Sequence, residues 1–133
     1  MSGESVVHTR LVERLELHVR TSHLPPRGLL ILADHHSYDR NRPGRIGGYL
    51  PDLYASDLPT TFEIIGEAKT PADLETPRSA RQITAFLDHL ALRPGSTFYL
   101  CVRVFSQGRA RALLKRLRGP GHERVDVRVI ADV

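Results

Sequence analysis

Nine prolines and ten glycines punctuate this chain of 133 residues and break it into short segments. That spacing leaves room only for brief helices and strands joined by turns. No internal repeat, low-complexity tract or linker is present. The longest apolar runs are a few residues, far below the ~20 needed to cross a bilayer, so no membrane partner is expected. At 41% hydrophobic and 26% charged residues, the composition is that of a folded globular protein and excludes a disordered tail, a coiled coil or a collagen-like chain. The length accommodates one domain, 1–133, with its own core. A single cysteine closes no intrachain disulfide, and Met1 to Arg10 lacks the basic-then-apolar pattern of a secretory signal. A cytoplasmic location is therefore expected.

Periodicity assigns the segments. From about Glu4 to Thr21, Val7, Leu11, Leu15 and Val19 recur every fourth position, which predicts an amphipathic helix that Pro25-Pro26 ends. Gly28 to Ala33, Gly48 to Ala55 and Thr61 to Lys69 read as three extended segments forming a meander. Thr76 followed by Pro77 is a helix start. Ile83, Phe86, Leu87 and Leu90 supply that helix's apolar face until Pro94-Gly95. Thr97 to Phe105 is a β-prone run, Gln107 to Leu117 an amphipathic basic helix, and Val125, Val127 and Val129 alternate with polar residues as a last strand. The expected order is αβββαβαβ, an α/β fold with a mixed central sheet flanked by helices.

The chemistry lies in Pro51-Asp52 on the second strand and Glu67-Ala68-Lys69 at the end of the third, fifteen positions on. Alternate side chains of a strand share a face, so Glu67 and Lys69 point the same way, about 6.6 Å apart. If the two strands are antiparallel neighbours, the start of one lies beside the end of the other and Asp52 comes next to Glu67. Two converging carboxylates repel unless something neutralises them, and a hard divalent cation with oxygen ligands does so. Mg²⁺ held in this way polarises a phosphodiester and lowers the pKa of an attacking water.

These residues resemble the signature of the PD-(D/E)XK nuclease superfamily. The αβββαβ order from about Glu4 to Phe105, about three-quarters of the chain, resembles that superfamily's restriction-endonuclease-like core; the last helix and strand are additions. The resemblance implies that Asp52 and Glu67 bind Mg²⁺, with Mn²⁺ able to substitute, and that Lys69 positions or activates water or steadies the transition state. It implies a DNA nuclease whose product carries a 5′-phosphate, with RNA left open, and a homodimer. Members often add a glutamate from the first helix, and phase selects it. At about 100° per residue Glu4 lies within about 20° of Leu11, whereas Glu13 lies about 160° away. The alternative for Glu4 is an N-terminal residue that complements the helix dipole. Gln82 resembles a glutamine some members carry on the second helix, where it would orient water or a ligand or touch DNA; otherwise it is a surface amide. Arg78 and Ser79 lie near it as candidate DNA contacts.

A formal charge of +4 fits a polyanionic partner. Arg40, Arg42 and Arg45 crowd the loop between the first two strands, which should open at the sheet end that holds Asp52, and they form a candidate phosphate grip. Arg111, Lys115 and Arg118 read as a solvated helix face opposite Leu113, Leu114 and Leu117. His35 and His36, with Asp34 and Asp39, read as loop polarity, since consecutive histidines project in different directions. Cys101 reads as core. The rival to a nuclease is a catalytically inactive nucleic-acid-binding subunit of the same fold in a repair or defence complex, and the intact Asp52, Glu67 and Lys69 argue against it.

Overall fold

The computed structural model describes residues 6–23, 29–33, 43–57 and 60–132. Helix α1 is Val6–Ser22, and strands β1 (Leu30–Ala33), β2 (Leu53–Ser56) and β3 (Glu63–Ala68) follow it. Then come α2 (Pro77–Leu90), β4 (Thr97–Arg103), a 3₁₀ turn Val104–Ser106, α3 (Gln107–Leu117) and β5 (Asp126–Asp132). The strands form one mixed sheet in the order β1-β2-β3-β4-β5. β1, β2 and β3 pair antiparallel, while β3 with β4 and β4 with β5 pair parallel.

The middle of the sheet explains its composition. A strand covered on both faces reads as a continuous apolar run, and all six residues of β3 are buried, as are Thr97 to Val102 of β4. On one face Leu11, Val12, Leu15 and Val19 of α1 pack on Leu53, Ala55, Ile64, Tyr99 and Cys101. On the other, α2 and α3 bring Ile83, Phe86, Leu87, Leu90, Leu113 and Leu114 against Ile65, Phe98, Leu100 and Val102. Each such side chain stabilises the fold by about 1.5–3 kcal/mol on burial. Gly66 governs how closely α1 lies on β3, because a Cβ there would sit 2.6 Å from Leu15 Cδ2.

Helix α2 begins as Thr76-Pro77 predicts. The Thr76 hydroxyl accepts from the Ser79 N–H at 3.1 Å, satisfying one of the helix's open donors. Ser79 is itself buried, and its hydroxyl donates to the Asp73 carbonyl at 2.5 Å. The hydroxyl is thus spent inside the cap, and the DNA contact expected of Ser79 is corrected to a structural one.

Several strand ends differ from the periodicity, and two of them have a visible reason. β2 begins at Leu53 rather than Gly48, because Gly47 and Gly48 take φ of +60° and +87° and reverse the chain. Ile46 and Tyr49 exchange backbone hydrogen bonds of 2.7 and 3.0 Å across that turn, the glycine-favoured geometry of a tight hairpin. β4 stops at Arg103, and Val104 and Phe105 turn out into solvent. No described helix is long and apolar enough to cross a membrane.

Candidate functional site

The β2–β3 ladder pairs Leu53 with Gly66 and Tyr54 with Ile65, so extending it by one residue sets Asp52 opposite Glu67. The hydrogen bonds at this point are reciprocal. The Asp52 N–H donates to Glu67 Oε1 at 2.9 Å, and the Ala68 N–H donates to Asp52 Oδ2 at 2.9 Å. Each carboxylate is thus held by the backbone of the other's strand. Lys69 continues β3 toward β4, its N–H donating to the Cys101 carbonyl at 3.0 Å. Its Nζ lies 3.4 Å from Glu67 Oε2 and donates to Gln82 Oε1 at 2.5 Å.

Burial sets the electrostatics. Glu67 is 2% exposed, and Asp52, Lys69 and Gln82 are each 8% exposed. Desolvation pushes the Glu67 carboxyl up from 4.5 to about 8, the charge of Asp52 adds to that, and Lys69 offsets part of it. Two acids thus share one ammonium in a poorly solvated corner, an arrangement that favours taking up a proton or a cation.

Sequence reasoning missed His8. Its Nε2 lies 3.3 Å from Asp52 Oδ2, bringing α1 to the site. The signal was present, since His8 follows Glu4 by four positions and so lies within about 40° of it on the helix. Glu4 itself lies outside the described residues, as do Arg40 and Arg42 and the loop residues Asp34, His35, His36 and Asp39. Among the described residues no group of three or more His, Cys, Asp or Glu side chains is arranged to hold a metal ion. The carboxylate oxygens among the described residues of this cluster are those of Asp52 and Glu67, hard donors of the kind Mg²⁺ takes rather than a thiophilic metal.

Arg78 lies on α2 one turn before Gln82, exposed, with its guanidinium 5.5 Å from the centre of the Tyr49 ring. Tyr49 in turn meets Phe86 edge to face. The cation is therefore supported by aromatic packing beside Gln82 rather than free to sweep through solvent. Arg45 goes elsewhere. It lines a cavity of about 230 Å³ with Leu32, Tyr54, Glu63 and His89, and Glu63 begins β3 while Glu67 is near its end. The grip expected of Arg45 at the Asp52 end is therefore not formed, because the Gly47-Gly48 turn sends the chain back across α2. In that second cluster Tyr54 donates to Glu63 Oε2 at 2.5 Å, and His89 and Arg93 lie 3.0 and 3.3 Å from Oε1. Burial pushes the Cys101 thiol up to about 12, which leaves it a core residue. No family model, curated protein or solved structure matches the chain.

Proposed function

We propose that this chain is a Mg²⁺-dependent nuclease of the PD-(D/E)XK type, with a restriction-endonuclease-like core, that hydrolyses phosphodiester bonds of DNA. One observation carries the reading: Asp52, Glu67, Lys69 and Gln82 converge, almost wholly buried, at the end of one sheet. The corner holds two acids and two bases, Lys69 beside Glu67 and His8 beside Asp52, and burial together with the charge of Asp52 raises the proton affinity of Glu67.

In this reading Asp52 and Glu67 hold the ion, braced by each other's backbone. When bound, Mg²⁺ polarises the phosphodiester and makes an attacking water more acidic. Gln82 accepts from Lys69 Nζ and so aims the ammonium, whose remaining protons orient the attacking water or meet charge developing on the phosphate oxygens. Arg78, exposed one turn earlier on α2, approaches the incoming backbone as a bidentate phosphate donor. A homodimer acting on two strands and a cytoplasmic location belong to the same reading.

The test is incubation of purified protein with duplex, branched and single-stranded DNA, and with RNA, in Mg²⁺, Mn²⁺ or EDTA. Cleavage is expected only with metal, and Asp52→Asn and Glu67→Gln should abolish it. Cleavage in EDTA, or by either variant, would sink the mechanism. Salt-dependent binding with no cleavage under any condition would favour the inactive binding subunit instead.

A further inference from the structure

The basic stripe of α3 is exposed and also forms one wall of a groove. Arg111, Lys115 and Arg118 line a groove of about 320 Å³ whose floor is Leu114, Val127 and Val129, and no carboxylate lies among its lining residues. The reason is topological: β5 is last in the sheet order, and Val127 and Val129 lie opposite Phe98 and Leu100, on the face that α3 covers. The helix and the edge strand leave a trough between them.

The three cations differ in how they are held. Arg118 Nη2 donates to the His122 and Val125 carbonyls at 2.9 and 3.0 Å, which fixes its charge in place. Arg111 is braced along the helix by Gln107 Oε1 at 3.3 Å, and Gln107 in turn donates to the Val104 carbonyl. Lys115 is exposed and has no ion pair among the described residues. Positive charge over an apolar floor with no acid to neutralise it fits a partner that carries both phosphates and apolar sugar and base surfaces.

The trough also starts beside the candidate site. α3 follows β4, whose Cys101 carbonyl accepts from the Lys69 N–H. Arg109 in the first turn of α3 donates to the Pro71 carbonyl at 3.3 Å and lies 2.9 Å from Glu75, so the helix start is tied to the segment leaving Lys69. From Gln107 to Leu117 the helix then runs about 15 Å away from that point.

We propose that the α3–β5 groove is a second contact for the nucleic-acid strand, gripping its backbone beyond the reacting phosphate through Arg111, Lys115 and Arg118. The choice of nucleic acid over another polyanion rests on the nuclease reading, and the experiment separates the two. Anisotropy of a labelled single-stranded oligonucleotide is followed against salt in EDTA, where no cleavage occurs, for wild type and for the double variant Arg111→Gln, Lys115→Gln. Each phosphate contact to a single strand contributes ~0.7 to the slope of log K against log salt, so the double variant should lose about 1.4. The charge-preserving pair Arg111→Lys, Lys115→Arg should keep the slope. Both positions are exposed, and melting temperatures should not move.

An unchanged slope and affinity in the double Gln variant would overturn the proposal while leaving metal-dependent cleavage to stand or fall by itself. A slope lost in that variant, in a protein that cleaves nothing, would keep the groove and discard the nuclease. Competition by polyglutamate as effective as by oligonucleotide would overturn the assignment to nucleic acid and make this a site for an acidic protein.

Discussion

Replacing Glu67 by glutamine should make the metal-free protein more stable at high pH, although it destroys the proposed function. In the folded protein Glu67 keeps its proton up to about pH 8, whereas the unfolded chain releases it near 4.5. Between those values the unfolded state binds fewer protons than the folded one, so stability falls as pH rises through the window and stays low above it. At about 1.4 kcal/mol per pH unit, the interval from 4.5 to about 8 sets a ceiling of about 5 kcal/mol. Lys69, 3.4 Å from Oε2 on a flexible stem, can swing closer to the bared carboxylate, and water can enter the strand end. Relaxation of this kind keeps the realised loss below that ceiling, and a loss on the order of 2 kcal/mol is expected. The glutamine variant has no such proton to lose, and its amide oxygen still accepts from the Asp52 N–H. Urea unfolding followed by far-UV circular dichroism, in EDTA at about pH 4 and about pH 9, measures the difference between the two proteins. That difference should shift by about 2 kcal/mol in favour of the variant between the two conditions. Mg²⁺ added at about pH 9 should then stabilise the wild type and not the variant, because only the wild type carries both carboxylates. A difference that is the same at both pH values would show that Glu67 is not held in a proton-retaining environment.

Two further substitutions probe neighbouring parts of the molecule. Lys69→Met should keep the fold but lower single-turnover cleavage at saturating DNA by about 10²–10³, the usual effect of removing one charge from a reacting centre; a rate within a few-fold of wild type would take Lys69 out of the chemistry. Gly66→Ala should cost about 1–3 kcal/mol in urea unfolding, since the new methyl would lie 2.6 Å from Leu15 Cδ2. Leu15→Ala in the same chain should recover part of that loss, and strictly additive costs would mean that the two groups do not meet.

The central constellation was legible because it depends on two short periods. Strand alternation and antiparallel pairing bring Asp52 to Glu67, and Gln82 lies on the inner edge of a helix whose start Thr76-Pro77 announces. Features that depend on a third element were not legible. His8 reaches Asp52 only because α1 crosses the opposite face of the sheet. Arg45 lies toward the Glu63 end of β3 rather than the Asp52 end, and nothing in the sequence announces the Gly47-Gly48 turn that follows it. Ser79 looked available beside Gln82, but its hydroxyl is used by the cap. The α3 cations are exposed as expected, but the groove they line was not legible, because its other wall, β5, joins the sheet only through β4.

The crossed bonds between the two acids and each other's backbone have a spectroscopic consequence. Two amide hydrogens, those of Asp52 and Ala68, are protected by carboxylate side chains rather than by carbonyls of a ladder. A change in the charge on either carboxylate, by protonation or by a bound cation, changes the strength of both bonds while the strands beneath keep theirs. Exchange at these two positions, set against Ile64 and Ile65 farther along β3, is therefore a built-in gauge of what the acids are bound to, readable without substrate or turnover.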